Sequence, residues 1–402
     1  MSMRILVLST VFPNPQQPLH GLFVRERIRH LARYADIRVV SPVPWFNGGS
    51  PIPASEQQGN LEVRHPTFFY VPAIFKVLDG LFLFLSVLPE VRRIQQTFKF
   101  DLVDAHFTYP DGFAGILLGR WFRRPVVITV RGSELHFVRH PLRRMAIRWA
   151  LRRADRVIAV STALGQLARD FGTKPERLEV IRNGVDPERF SPRPARDART
   201  TLGLSPDGPL LVCVGHLVPL KGFHRVIEAF HRLVLEFPDA KLAIVGGHGS
   251  GTGRYPQQLA QLIDTLVLSG QVLMPGPQTP DRVAVWLNAA DVLVLDSDRE
   301  GCPNVVCEAM ASGCPVVAPR VGEIQNMVPA HAGILFDDPN DVPELTRCLT
   351  EALRRTWDRP AIRATAEQNT WDSVAKQVLR AWGAAARTDQ NSKAMKAEVT
   401  EL

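Results

Sequence analysis

The sequence has few cysteines and no long uninterrupted hydrophobic run. Its 402 residues include five cysteines, an odd number, and no Cys-x-x-Cys pair. A disulfide scaffold is therefore excluded, and reduced thiols in the cytoplasm are the simplest expectation. The most apolar stretch, residues 71–88, is interrupted by Lys76 and Asp79, and its charge-free part covers about half of the roughly 18 residues that span a bilayer. No secretory h-region follows Met1, so we expect a cytoplasmic protein that does not span a membrane.

Charge is unevenly distributed along the chain. The formal net charge is +8, from 48 Lys and Arg against 40 Asp and Glu. Residues 1–190 hold 27 basic and 16 acidic residues, a net of +11, whereas the remainder holds 21 and 24, a net of −3. The length favours two domains, and 45% hydrophobic residues exclude general disorder. The basic half predicts an anionic partner, either nucleic acid or a membrane surface.

Short apolar runs alternate with helix-length segments throughout the chain, which predicts parallel sheets covered on both faces. Six runs in each half favour an α/β fold with two doubly wound, Rossmann-like parallel sheets. The predicted strands are Ile5–Ser9, Arg38–Val40, Leu102–Ala105, Val126–Val130, Val157–Val160, Leu178–Ile181, Leu210–Val214, Ala240–Val245, Gln271–Met274, Val292–Leu295, Pro315–Ala318 and Gly333–Leu335.

Turn chemistry places the domain boundary. Asn183-Gly184-Val185-Asp186-Pro187 is typical of a turn, and prolines at 192, 194 and 206 interrupt regular structure after it. We expect domains at 1–185 and 186–371 and a last helix at 372–387. The polar residues 388–402 predict a disordered tail.

The densest polar feature runs from Asp296 to Ala318. A strand is predicted to end at Leu295, and a helix to begin near Pro303 or Asn304 and to close at Gly313. Ligands of open α/β sheets bind at the carboxyl ends of strands, and free N–H groups at a helix start suit phosphate. Two acids, Glu300 and Glu308, lie in this segment; on one helix they would be about 12 Å apart, too far for a glycosidase pair. They are interpreted as two separate binding contacts.

Glu300-x7-Glu308 and the Ala-Met-Ala-Ser-Gly-Cys-Pro-Val-Val-Ala run after it resemble the signature of the family-4 retaining glycosyltransferases. The resemblance covers nearly the whole chain and implies the GT-B architecture, in which two Rossmann-like domains face a central cleft and a C-terminal helix crosses back to the N-terminal domain. It assigns Glu300 to the donor sugar hydroxyls and Glu308 to the ribose. The backbone at Cys302, Pro303, Asn304 and Val305 would approach the diphosphate and the sugar.

The stretch from Gly215 to Gly222 carries a second part of the resemblance. The family has an arginine and, five residues later, a lysine on the donor diphosphate; Lys221 matches the lysine, and His216 replaces the arginine. Cations there would stabilise the charge of the departing nucleoside diphosphate. We expect His216 to face the phosphates beside Gly215, and Lys221 to act with Glu300 in catalysis.

In the N-terminal half, His106 follows a predicted strand and matches the family histidine near the donor sugar and the reacting centre. The resemblance thus implies a catalytic role for His106, with Glu300 and Lys221. Gly21, after the first strand's long loop, would let the backbone approach the diphosphate. Arg131 stands where the family commonly has histidine, and recognition of an acceptor phosphate is one hypothesis for it. Ser161 is a further candidate on the acceptor side. The segments His20–Glu26 and Tyr109–Gly112 are most similar to bacterial exopolysaccharide, lipopolysaccharide and teichuronic-acid transferases.

Two nucleotide-binding motifs are absent from this sequence, and one metal-binding motif is only weakly indicated. The glycine-rich segment 246–253 contains no G-x-G-x-x-G register, and no Gly-Lys-Ser/Thr of a P-loop occurs. Asp296 and Asp298 resemble the metal-binding D-x-D of another glycosyltransferase architecture, but we interpret them as loop acids. We expect no cofactor and no metal, with a nucleotide diphosphate sugar as donor substrate.

The segment Arg139–Arg156 predicts a basic helix. Arg144, Arg148 and Arg152 recur every fourth residue, and an opposite stripe of Leu142, Met145, Ala146 and Trp149 is expected to pack inward. This segment can be an ordinary solvated face, or it can dock on anionic lipid at the inner face of the cytoplasmic membrane.

The leading hypothesis is a retaining, metal-independent hexosyltransferase. It would use a glycan or lipid-linked acceptor in cell-surface polysaccharide synthesis. One alternative is a nucleotide-sugar epimerase of the same architecture, which the Glu300–Glu308 signature disfavours. A basic nucleic-acid-binding protein is the alternative from another class, and the α/β organisation argues against a nucleic-acid partner.

Overall fold

The structure is a computed structural model. It describes residues 2–46, 51–71, 76–132, 140–249 and 252–400, with only the backbone course for 388–400. The chain forms two units, Met1–Asn183 with Trp371–Leu402 (unit 1) and Gly184–Thr370 (unit 2). These limits lie within two residues of the boundaries expected at 185 and 371.

Unit 1 is built on a mostly parallel sheet. Its described strands have the spatial order β10-β9-β8-β7-β1-β2-β5-β4, and only β4 runs antiparallel to its neighbour. The central strands β7 and β8 are buried at every residue, as strands covered on both faces must be. The strands of this unit are β1 (Arg4–Leu8), β2 (Asp36–Val40), β3 (Val43–Pro44), β4 (Ser55–Gln58), β5 (Leu61–Arg64), β6 (Thr67–Phe68), β7 (Leu102–His106), β8 (Val126–Val130), β9 (Arg156–Ala159) and β10 (Leu178–Val180).

The expectation of six strands in the first half was wrong, because the β4–β5 hairpin extends the sheet beyond β2. Gly59-Asn60, the two-residue turn of this hairpin, is a recognised hairpin signal, and Leu61 to Arg64 alternate between buried and half-buried. The short pair β3 and β6 also went unpredicted. Two residues per strand are too few for a periodic signal.

Helices cover both faces of this sheet. Those described in unit 1 are α1 (Leu22–Leu31), α2 (Asp79–Phe98), α3 (Phe113–Phe122), α4 (Pro141–Arg153), α5 (Thr162–Asp170) and α14 (Trp371–Thr400), with 3₁₀ turns at Lys76–Leu78 and Pro175–Arg177. The last helix, α14, packs on α1. Its residues Val374, Val378 and Trp382 are buried in the core of unit 1.

The start of α14 is held by charge, since Asp372 accepts hydrogen bonds from His30 Nδ1 and Arg33 Nη1, both at 2.9 Å. The structure continues this helix to Thr400 instead of ending it near 387 with a disordered tail. Residues 388–400 contain neither glycine nor proline, so nothing in them breaks a helix.

Unit 2 has the strand order β13-β12-β11-β14-β15-β16, entirely parallel, which is the Rossmann order. All six strands were predicted from the sequence. They are β11 (Leu210–Val214), β12 (Lys241–Val245), β13 (Val272–Gly276), β14 (Val292–Val294), β15 (Val316–Pro319) and β16 (Gly333–Phe336). The helices described here are α6 (Ala195–Leu202), α7 (Phe223–Leu233), α8 (Tyr255–Thr265), α9 (Pro280–Ala289), α10 (Asn304–Ala311), α11 (Ile324–Met327), α12 (Val342–Arg354) and α13 (Arg359–Glu367), with a 3₁₀ turn at Pro219–Lys221.

Candidate functional site

The loops after β11 and β14 meet at the point where the strand order of unit 2 reverses. Parallel sheets bind ligands at this switch point. The Asp298 N–H donates to the Leu220 carbonyl at 3.0 Å, which joins the two loops. The sequence placed both motifs at strand ends, and the structure brings them together.

Lys221 and Glu300 form the centre of this site. Lys221 Nζ lies 2.5 Å from Glu300 Oε1, and Ser297 Oγ donates to the same oxygen at 2.7 Å. The side chain of Glu300 is 10% exposed and that of Lys221 25%. A cation and a carboxylate that can each reach a bound ligand are therefore held side by side.

Arg225, on α7, fixes the loop that carries Glu300. Its Nε donates to Asp296 Oδ2 and its Nη2 to the Asp296 carbonyl, both at 2.5 Å, and Nη2 also reaches Asp298 Oδ1 at 2.7 Å. Burial raises the pKa of Asp296 to about 7, although Arg225 opposes the shift. Asp296 and Asp298 are thus ion-pair partners of Arg225, a residue that sequence reasoning missed. A Cβ on Gly222 would lie 2.1 Å from the Asp296 carbonyl oxygen, so glycine is required there.

The glycine-rich segment packs against the turn after β11. A Cβ on Gly246 would lie 1.8 Å from the Gly215 carbonyl oxygen, and one on Gly249 would lie 2.8 Å from the ring of His216. The Gly215 N–H donates to the Val245 carbonyl at 3.0 Å. Packing around the imidazole, and secondarily Lys221, lowers the pKa of His216. His216 is therefore neutral at pH 7, and Lys221 carries the positive charge of this turn. Residues 250 and 251 lie outside the described residues.

Helix α10 begins where the sequence predicts and ends with Gly313 at φ 72°. Pro303 occupies its N-cap, so Asn304 and Val305 open the helix, and Glu308 is half-buried one turn further on. Glu300 lies in the loop and Glu308 in the helix, as two separate contacts require. Cys302 is half-buried with its Sγ 4.0 Å from Met327 Sδ.

The loop after β15 supports Glu300 from a third strand end. A Cβ on Gly322 would lie 2.0 Å from the Glu300 carbonyl oxygen, and the N–H of the buried Glu323 donates to the Gly301 carbonyl at 3.2 Å. The sequence analysis did not single out these two residues. The signal for Gly322 is a glycine four residues after the end of the predicted strand Pro315–Ala318.

In unit 1, the end of β7 carries a buried charged cluster. His106 is fully buried; its Nδ1 lies 3.0 Å from Arg131 Nη2 and 3.2 Å from Arg131 Nε, and its Nε2 lies 3.3 Å from Asp104 Oδ2. Arg131 Nη1 donates to Asn183 Oδ1 at 3.0 Å. The sequence does not reveal that Asp104 and Arg27 are buried, because charged residues in strand interiors and on amphipathic helices are rarely buried.

Two other expected residues of unit 1 have local structural roles. A Cβ on Gly21, at φ 74°, would lie 2.5 Å from the Val11 carbonyl oxygen, so the loop itself demands glycine. Ser161 is the N-cap of α5, where its Oγ accepts from the Leu164 N–H at 3.2 Å. Neither role tests the binding assigned to these residues by resemblance.

The loops after β1 and β7 are joined by a contact that the sequence analysis missed. Asp111, fully buried, accepts from the Thr10 N–H at 2.5 Å and from Thr10 Oγ1 at 2.9 Å. The two strands are neighbours at the switch point of this sheet.

The inward stripe expected for the basic helix was wrong for two of its four residues, because Leu142 and Met145 are 58% and 66% exposed, whereas Ala146 is buried and Trp149 is half-buried. The other buried residues of α4 are Ile147, Ala150 and Leu151. The buried stripe is therefore rotated relative to the one predicted. Two apolar side chains therefore share the exposed face with arginines. Arg139 lies outside the described residues.

The described residues contain neither a membrane-spanning helix nor a cluster of metal-binding side chains. No helix among them is both long and apolar enough to cross a membrane. Within the same residues, no group of three or more His, Cys, Asp and Glu side chains could hold a metal ion. All five cysteines are free.

Both units match known protein families. The family described as Glycosyltransferase Family 4 matches residues 21–189, and Glycosyl transferases group 1 matches 195–369. A protein of Bacillus subtilis (strain 168) named as a teichuronic acid biosynthesis glycosyltransferase, TuaC, is 28% identical over 371 residues, covering 88% of this chain and 89% of its own. A D-inositol 3-phosphate glycosyltransferase of Streptomyces bingchenggensis is 32% identical over 310 residues, or 72% and 67% of the two chains.

A solved structure agrees with the fold. Anabaena HepE in complex with UDP and glucose superposes with a TM-score of 0.74 at 22% identity, over 94% of this chain and 98% of that one. Two Rossmann-like sheets and these matches define an enzyme that transfers glycosyl groups. The chain belongs to glycosyltransferase family 4 and has the GT-B architecture.

Proposed function

We propose that this glycosyltransferase moves a hexose-type sugar, with retention of anomeric configuration, from a nucleotide diphosphate sugar to a glycan or lipid-linked acceptor in cell-surface polysaccharide synthesis. The observation that carries the proposal is the Lys221–Glu300 pair at the switch point of unit 2. A nucleotide diphosphate sugar bound there would meet a cation for its diphosphate and, beside it, a carboxylate that accepts hydrogen bonds from the sugar hydroxyls. The names of TuaC and of the HepE complexes support the polysaccharide role and the UDP-sugar donor.

Each of these residues would have a separate role in donor binding. Lys221 would stabilise the negative charge that builds on the departing nucleoside diphosphate, and Glu300 would accept hydrogen bonds from the sugar hydroxyls. Glu308, one helix turn into α10, would bind the ribose, while the Asn304 and Val305 N–H groups face the diphosphate. Because Arg225 engages Asp296 and Asp298, neither is offered to a metal, and we propose that the reaction needs neither metal nor cofactor.

The experiment that tests this function uses the full chain. Thermal unfolding is followed with a panel of nucleotide sugars; a donor at 100 times its Kd should stabilise the protein by about 2.7 kcal/mol. The stabilising donor is then incubated with polyprenyl-diphosphate-linked sugars, and the anomeric configuration of the product is read by NMR with and without EDTA. An inverted product, or activity lost with EDTA, contradicts the corresponding part of the proposal. Isomerised sugar from donor alone would favour the epimerase.

We also propose that unit 1 docks on anionic lipid through the exposed face of α4. Arg148 and Arg152 lie on that face beside Leu142 and Met145. On neighbouring helices, Trp121 is 53% exposed and Leu85 54%. Basic residues contribute about 1 kcal/mol each near an anionic surface, and apolar side chains add their burial in the headgroup region.

Replacing Leu142 and Met145 by glutamate should abolish most of this docking. Sedimentation with vesicles of phosphatidylcholine and phosphatidylglycerol should show binding reduced by at least about tenfold, because two apolar contacts are lost and two like charges are added. Leu235→Glu is the matched control, since Leu235 is 83% exposed but lies in unit 2. Equal binding of the double variant and the wild type would refute docking through this face.

A further inference from the structure

His106 has both ring nitrogens directed at protein groups. Nδ1 faces two N–H groups of Arg131, and Nε2 faces the carboxylate of Asp104. A guanidinium only donates hydrogen bonds, so Nδ1 must be the unprotonated nitrogen. The proton is then on Nε2, which lies 3.3 Å from Asp104 Oδ2 but makes no hydrogen bond with any described residue. Arg131 therefore occupies the acceptor nitrogen of a fully buried imidazole.

The surrounding charges keep His106 in that state. Burial lowers its pKa to about 4; Asp104 opposes the shift, and the positive charges of Arg131 and Arg27 add to it. Burial alone would raise the pKa of Asp104, but His106, Arg27 and Arg131 together hold it below its usual value. Arg27 is buried with no hydrogen bond at Nε or Nη2 in the described part of the chain. It acts on Asp104 as a charge.

Arg131 is held from three sides at the carboxyl end of β8. His106 Nδ1 accepts from one edge of the guanidinium, Asn183 Oδ1 accepts from Nη1, and the ring of Phe23 lies 5.1 Å from Cζ. Unlike the fully buried His106, Arg131 is only partly buried. The plane and the position of the guanidinium are therefore fixed where it reaches the end of the sheet.

We propose that His106 is a positioning residue that acts through Arg131, and that Arg131 is the residue of unit 1 that binds a phosphate group of a substrate. The carboxylate of Asp104 lies 3.3 Å from His106 Nε2, and Arg27 balances the charge of Asp104. A planar guanidinium fixed by two acceptors and one ring suits a phosphate better than a flexible lysine does. The inference rests on the proposed glycosyl transfer for the biological source of the phosphate, which is either the donor diphosphate or a lipid-linked acceptor.

Binding of two probes tests this assignment without relying on turnover. Dissociation constants of UDP and of farnesyl diphosphate, an isoprenyl diphosphate, are measured by calorimetry on the full chain. Arg131→Ala should weaken one of the two by about 10- to 100-fold, as expected for a lost hydrogen bond to a charged group. Weaker UDP binding identifies the donor as the source, and weaker farnesyl diphosphate binding identifies the acceptor. No change for either probe overturns the proposal.

A double-mutant cycle separates positioning from direct contact. His106→Ala should weaken the same probe by about tenfold. His106→Gln, whose amide oxygen can still accept from Arg131, should stay within about threefold of the wild type, and it also serves if the alanine variant does not fold. Combining either change with Arg131→Ala should add nothing to the loss from Arg131→Ala alone. Multiplied losses in the double variant would show that His106 contacts the ligand itself, which contradicts the proposal.

The pH dependence provides a readout that a packing defect would not move. Protonated His106 cannot accept from Arg131, so the wild type should lose affinity as the pH falls from 6 towards 4, beyond the loss caused by protonation of the probe. His106→Gln should lack that additional loss. Parallel profiles for the two proteins would overturn the positioning role. An active enzyme with parallel profiles would leave the glycosyltransferase proposal standing and remove only this inference.

Discussion

Replacing Lys221 by alanine should lower kcat by about 10²- to 10³-fold while the protein stays folded. This is the typical loss when one preorganised group that stabilises transition-state charge is removed. His216, the other side chain at this turn, has a lowered pKa and is neutral at pH 7. No second cation of the Gly215–Gly222 turn can therefore substitute for Lys221. Steady-state kinetics with the donor identified by thermal shift provides the measurement.

The control for Lys221 is Lys174→Ala. Lys174 is 67% exposed and lies 3.9 Å from a similarly exposed glutamate, so its loss should leave kcat unchanged. Lys221→Arg keeps the charge but cannot keep the 2.5 Å contact with Glu300, and it should recover only part of the activity. Activity of Lys221→Ala within about threefold of the wild type would remove Lys221 from the mechanism.

Arg225→Met should lower the free energy of unfolding by about 3–5 kcal/mol at pH 8, because the fully buried carboxylate of Asp296 loses its cation. The loss should shrink at pH 5. Burial raises the pKa of Asp296 to about 7 even with Arg225 present, and removing Arg225 raises it further. The folded variant therefore binds this proton at a higher pH than the folded wild type does, whereas the unfolded chain, with an aspartate pKa near 3.9, binds it in neither case at these pH values. Lowering the pH therefore stabilises the variant relative to the wild type.

Urea denaturation at the two pH values measures the Arg225 effect. Arg320→Met is the matched control, since Arg320 pairs with Asp337 at 3.0 Å but both side chains are at least half exposed, and less than about 1 kcal/mol should be lost. The double variant Arg225→Met with Asp296→Asn should regain most of the lost stability, because no unpaired charge remains buried. An equal loss at pH 5 and pH 8 would contradict the role given to Asp296.

Periodicity was enough to predict the six strands of unit 2, and strand-end position indicated which loops lie at the edge of its sheet. Helix α10 was predicted from Pro303 and Gly313, which mark a helix start and end whatever surrounds them. Lys221 was singled out by its match to the family's lysine, and Glu300 by the family signature in the loop after a predicted strand. Their contact across 79 residues of sequence could not be predicted, since it depends on the order of the strands in the sheet.

The residues that sequence reasoning missed are those whose role depends on the partner across the fold. Arg225 looks like any arginine on an amphipathic helix, and only its contact with Asp296 gives it a role. Asp104 lies inside a strand where an apolar residue would be expected. Leu142 and Met145 have helical spacing, but spacing does not determine which stripe meets the neighbouring helices. Such properties belong to packing between elements and leave no local signal.

The chain path through the two units also has a consequence for synthesis. Unit 1 begins the chain, but its core contains Trp371, Val374 and Trp382 from the last helix, which is translated after the whole of unit 2. Ile28 and Ile158, which share that core, have no apolar cover from α14 until the ribosome has translated all of unit 2. Unit 2 is contiguous in sequence and can complete its own core first. The part of the protein that is made first is therefore the last to become fully folded.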